Sequence, residues 1–224
     1  MKLKKIASLM LAGVMAVSML TACGEGSSND NKEDNKPVET VSNAVTYAND
    51  MLDSEMKEYV NFVSSTTLDG WAAKYATDTS KFSADDIKEA YGATTSNGWN
   101  EKLNLKMEDE LASNMRDANI LVVGDSDMKK MPADKVSQSK PMVMVLSGML
   151  DEKSAVETAV ETAAGWFGTY CGKTVKDDDT VYNCDYSVEV NAMKVTNDSL
   201  TNESAWVISF VVNQKVTKAA NVQV

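Results

Sequence analysis

The chain has 224 residues, with 22 basic and 33 acidic side chains, a formal net charge of −11 and no histidine. Without imidazole, Ser-His and Cys-His nucleophile pairs, histidine general bases and His-ligated zinc or copper are excluded. The acidic balance repels phosphate backbones and anionic headgroups, so nucleic acid is not an expected partner and charge alone will not dock the protein on a membrane.

Lys2, Lys4 and Lys5 precede an uncharged run over 6–22, after which the sequence turns at once to Gly, Ser, Asn, Asp and Glu. A basic start, an apolar stretch and small residues at its end make an export signal. The run is at the lower limit of what spans a hydrocarbon core, and Ser8, Gly13 and Ser18 dilute it, which argues against a permanent span. Leu20-Thr21-Ala22-Cys23 resembles the lipobox of bacterial lipoproteins, in which small residues precede a cysteine that receives a diacylglyceryl group. The resemblance implies a signal peptide over 1–22, acylation of Cys23 and a place on the extracytoplasmic face of the cell membrane. An ordinary cleaved signal with Cys23 as a bystander is the alternative. Acyl chains bury about 0.8 kcal/mol per methylene, and stable anchoring needs two such chains. Without the three lysines, 19 basic residues face 33 acidic ones, a net charge of −14.

Residues 23–40 contain no large hydrophobic side chain before Val38 and are expected to form a disordered acidic and polar tether. The Asp and Asn alternation over 29–35 lacks the central Gly and closing Glu of an EF-hand loop. Residues 41–224 remain for a single extracytoplasmic domain. With Cys23 taken by lipid, Cys171 and Cys184 are left as a pair outside the reducing cytoplasm, and a disulfide is expected. It would close a loop of about 14 residues and contribute roughly 3 kcal/mol. A redox-active dithiol is the alternative, against which the wide spacing argues.

Val41, Val45, Ala48, Leu52, Met56, Tyr59 and Val63 recur in steps of three and four, which predicts one amphipathic helix ending near Ser64. Gly70 interrupts, and Trp71 to Ala76 offer a short further turn. Ser83 with Asp86 reads as an N-cap opening a helix through Ile87, Ala90 and Tyr91. A helix is expected after Asn100, carried by Leu103, Met107, Leu111, Met115 and Ala118, and it leads to a short apolar strand at Ile120 to Val123. Residues 125–141 read as an exposed loop, and Met142 to Leu146 as a strand. Asp151 caps a helix whose face holds Val156, Val160, Ala163 and Phe167.

The strongest β signal follows the turn at Asp177 to Asp179. Tyr182, Cys184, Tyr186, Val188 and Val190 alternate with polar residues, as do Trp206, Ile208, Phe210 and Val212, giving a long antiparallel hairpin with one covered face and one wet. The order helix, strand, strand is expected twice, over 100–146 and 151–216, without a repeat at the level of residues.

Chemistry-bearing patterns are sparse. S-x-x-K occurs at Ser54/Lys57, Ser126/Lys129 and Ser137/Lys140 without the companion motifs of penicillin-binding enzymes. Gly168 to Thr174 (GTYCGKT) is one residue short of a phosphate loop, and Asp177-Asp178-Asp179 after it reads as a solvated turn rather than a calcium site. Met128, Met131, Met142 and Met144 could ligate Cu(I) or fill a core. Trp71 and Trp99 could stack on sugars, or be buried anchors.

These readings converge on an α+β protein with N-terminal amphipathic helices packed on an antiparallel sheet that includes a C-terminal hairpin. The expected role is a lipid-anchored, non-enzymatic binding module at the cell envelope, with no cofactor and with a glycan or protein partner. A carboxylate-dependent glycan or cell-wall hydrolase and an assembly factor of an envelope complex are the alternatives.

Overall fold

The computed structural model describes residues 42–92 and 101–219. They form five α-helices and a mixed five-stranded sheet, an α+β arrangement. In chain order these are α1 (Ala44–Met51), β1 (Val60–Val63), α2 (Thr66–Ala76), α3 (Ala84–Gly92), α4 (Glu101–Asp117), β2 (Ser137–Ser147), α5 (Glu152–Tyr170), β3 (Thr174–Asp177), β4 (Thr180–Thr196) and β5 (Ser204–Lys218).

The sheet order is β1-β4-β5-β2, with β3 also on β4. β4 and β5 form the expected hairpin, antiparallel from Tyr182↔Lys218 to Thr196↔Ser204. β1 joins β4 in parallel, at Val60↔Tyr186 to Val63↔Glu189, so the sheet is not purely antiparallel. This strand replaces the second half of the predicted first helix. The helix stops at Leu52, whose ψ of 130° is extended, and the Asp53 carboxylate then accepts the Met56 N–H at 2.7 Å. Val60 and Phe62 are buried on alternate positions of a β-branched and aromatic run. The heptad-like spacing thus continued by coincidence across a turn. On the open side of β1, Asn49 receives the Phe62 N–H at 3.1 Å and donates to the Phe62 carbonyl at 2.9 Å. A side-chain amide there does the work of a missing strand.

Two caps stand where the sequence placed them. Ser83 Oγ accepts from the Asp86 N–H at 3.2 Å while Asp86 accepts from the Ser83 N–H at 2.8 Å, and Asp151 accepts from the Ser154 N–H at 2.7 Å. Helix α2 is longer than expected and runs through Gly70, because Ser65 caps it and Leu68, Ala72, Tyr75 and Ala76 form a buried stripe.

The hairpin is covered on both faces over much of its length. On one face Tyr186, Val188, Val190, Ile208, Phe210 and Val212 join Ala44 and Ala48 of α1 and Ala159, Ala163 and Phe167 of α5. On the other, Val195, Ala205, Val207 and Val211 join Leu68, Ile87, Met107, Leu111 and Met115 of α2, α3 and α4. The face expected to be wet is therefore a second core wherever β5 and the last third of β4 carry it. Ile120 to Val123 make only an isolated bridge, Val122↔Ser139, instead of a strand. The first helix-strand-strand unit is thus α4 followed by β2 alone. The exposed loop expected over 125–141 stands only in its middle, 133–136: Asp125–Lys129 is a 3-10 turn with Met128 buried, and β2 begins at Ser137 with Gln138, Ser139 and Lys140 buried.

Candidate functional site

A cavity of about 260 Å³ lies along the outer edge of β2, between α4 and α5. The helical period brings Glu101, Asn104, Leu105 and Glu108 to one side of α4, while Leu103, Met107, Leu111 and Met115 on the other side enter the core. Met142, Val143 and Met144 of β2 form the floor, and Thr162 and Trp166 of α5 the opposite wall.

A buried ion pair closes one end. Lys140, with 10% of its side chain exposed, binds the Glu108 carboxylate and lies 3.4 Å from Asp125 Oδ1. Burial pushes the Glu108 carboxyl above the usual carboxylate range, and the Lys140 ammonium opposes that shift. At the other end the Asn104 side-chain oxygen accepts the Val145 N–H at 2.7 Å. The Trp166 ring leans on Phe167 and Tyr170, with centroids 5.6 and 5.4 Å away, and its buried Nε1–H has no hydrogen-bond partner among the described residues. The cavity therefore joins apolar walls to three carboxylates and one ammonium, a combination suited to holding a ligand with an apolar body and a cationic group.

Glu108, Asp125 and Trp166 belong to no pattern that the sequence singles out, and Lys140 enters only through its S-x-x-K spacing with Ser137. A usable signal was present: Lys140 opens the run KPMVMVL, and a lysine entering a buried strand needs an acidic partner.

Apart from Lys140, Met142 and Met144, the candidate residues of the sequence fall outside this cleft. Cys171, at the end of α5, and Cys184, in β4, share one cluster and are both buried. They are free thiols in the structure, where a disulfide was expected, and Cys184 Sγ is contacted by the Gln214 amide at 3.5 Å. Burial raises both thiols, and for Cys171 the neighbouring Cys184 adds to it. Gln214 is fully buried; it also donates to the Met128 carbonyl and the Tyr186 hydroxyl at 3.0 Å each, and accepts from Gln138 at 2.7 Å. The strand residues around the thiols are thus tied by a polar network that the apolar pattern did not reveal.

Met128, Met142 and Met144 are core residues and Met131 packs against them, which is the filler role. Ser137 and Lys140 lie on opposite faces of β2, and Lys140 turns to Glu108. GTYCGKT spans the end of α5 and the start of β3, without the strand-loop-helix order that phosphate binding needs. Asp177 pairs with Lys135 at 2.7 Å, and among the described residues no group of three or more acidic or cysteine side chains is placed to hold a metal. Trp71 packs partly on the second core. Cys23, the tether and Trp99 lie outside the described residues.

Compared with models of protein families, with characterised proteins and with solved structures, the chain has no match.

Proposed function

We propose that this protein is a lipid-anchored extracytoplasmic lipoprotein that binds a ligand or partner at the cell envelope in the cleft between α4, β2 and α5. The observation behind the binding role is that cleft, in which a buried ion pair, an aromatic wall and an open strand edge meet, while the anchor rests on Leu20-Thr21-Ala22-Cys23. Cys23 and the tether over 23–40 would present it at the membrane surface. The N-terminal amphipathic helices packed on the sheet form the body to which the tether leads.

The test is a titration of the full-length protein in detergent with wall glycan fragments and short peptides, followed by the indole resonance of Trp166 and the methyls of Met142 and Met144. Saturable shifts at these groups without product support a binding module. A second reading has its own observation, the raised carboxyl of Glu108 with Asp125 on the same lysine. A hydrolase of this kind would release product, and Glu108→Gln would abolish the release.

The disulfide belongs to the same proposal, since export places the thiols in an oxidising compartment. Protein isolated from the envelope without reductant should carry no free thiol at Cys171 or Cys184. Dithiothreitol should then lower its unfolding free energy by about 3 kcal/mol. Two titratable thiols in the freshly isolated protein would refute the bond.

A further inference from the structure

The floor of the cleft is an incomplete strand edge. In an antiparallel pair, alternate residues direct both backbone groups to the partner and the others direct theirs outward. Val136 accepts the Val216 N–H and the Gly148 N–H donates to Ser204, so even-numbered residues of β2 face β5. The odd-numbered ones face the cleft side. Ser139 is satisfied there, donating to the Leu121 carbonyl at 2.9 Å and accepting the Val123 N–H at 3.0 Å. The Val145 N–H is taken by Asn104. Pro141 has no N–H to offer. Val143 is the residue between them, only 3% exposed, and its outward N–H and C=O meet no partner among the described residues. A buried donor and acceptor side by side are costly to leave unpaired.

We infer that the cleft takes a short extended peptide segment that pairs with Val143 as an added strand, with a basic side chain at the paired position and apolar side chains on either side. This rests on the reading of the cleft as the binding site. A peptide residue opposite Val143 offers the complementary N–H and C=O, so it forms two hydrogen bonds at once. Directly opposed residues point to the same face of a sheet. The Val143 side chain lies in the core shared with α4, so the paired peptide residue points toward α4 and its Glu101 and Glu108. Its two neighbours point the other way, toward Trp166, Thr162 and the methionines. Three carboxylates against one ammonium leave the cleft with an excess of two negative charges, which selects a cation at the paired position. A volume of about 260 Å³ suits a short segment that seats its paired residue and the near parts of its two neighbours.

The probe is acetyl-Val-Lys-Val-amide, compared with acetyl-Val-Glu-Val-amide and with the Lys-N-methylated form of the first, each titrated into the full-length protein and followed at the Val143 amide and the Trp166 indole. The expected result is saturable binding of the lysine peptide, with the glutamate and N-methylated peptides at least tenfold weaker. Glu101→Lys, an exposed substitution in the first turn of α4, should weaken the lysine peptide and strengthen the glutamate one. Equal binding of the N-methylated peptide would overturn strand addition. Saturation of the Trp166 site by a wall glycan with no response to any peptide would overturn this inference while leaving the cleft a binding site. Silence at Trp166 and Val143 toward both panels would overturn the two together.

Discussion

Replacing Lys140 by Met is expected to destabilise the domain strongly at neutral pH and much less under mild acid. Lys140 and Glu108 are both withdrawn from water, and removing one partner leaves the other as an uncompensated charge. Such losses run to about 3–5 kcal/mol, and this one should fall toward the lower end because Glu108 keeps 25% of its side chain exposed. Glu108 already titrates above its ordinary value because of burial, and the ammonium opposing that shift disappears with the substitution. For an acid whose pKa is raised on folding, the folded state binds the extra proton. Stability is therefore retained below the unfolded pKa and lost as pH rises through the folded one. Urea unfolding at pH 5 and pH 8 should show the K140M deficit growing with pH, and Glu108→Gln in the same chain should remove most of that growth. A deficit that does not change with pH would mean that the lysine acts through packing of its methylenes alone.

Phe167→Ala should cost about 3–5 kcal/mol, the range for emptying a large aromatic site in a packed core. Phe167 is fully buried on α5 and meets Phe62 of β1 edge-on at 6.1 Å, while Trp166 stands against its other side at 5.6 Å. It thus connects the helix that walls the cleft to the far strand of the sheet. Phe167→Leu, which keeps most of the volume, should cost much less. If the cleft depends on this support, the alanine variant should also broaden the Trp166 indole resonance under conditions where the protein remains folded. A sharp, unshifted indole would show that the wall is held from elsewhere.

Much of the fold could be read from local chemistry. The caps at Ser83 and Asp151, the stripes of α4 and α5 and the alternation of β4 and β5 each depend on near neighbours in sequence, and each stands in the structure. The failures share a cause of a different kind. β1 was read as helix because Met56, Tyr59 and Val63 kept a helical spacing, while its partner, β4, lies more than a hundred residues away. The alternation of β5 predicts a wet face because it reports one core at a time, and Ala205, Val207 and Val211 are buried by α2, α3 and α4, all of which precede β2 in the chain. Of the candidate site, only Lys140, Met142 and Met144 belong to chemical patterns visible in the sequence, and those patterns point to other chemistry. Glu108, Asp125 and Lys140 meet only after α4 has crossed the edge of β2, and nothing in their spacing announces it. The open backbone of Val143 belongs to topology alone, since any side chain could stand at such an edge.

The proposed lipid on Cys23 is open to one direct measurement. Cells expressing the full-length protein would be grown with a palmitate analogue suited to detection, and the protein followed through detergent phase partition beside a Cys23→Ser variant. The expected result is a labelled wild-type chain in the detergent phase, beginning at residue 23, and a variant that carries no label and leaves that phase. A wild-type chain that is unlabelled and partitions into water, or a C23S variant that retains the label, would contradict the account.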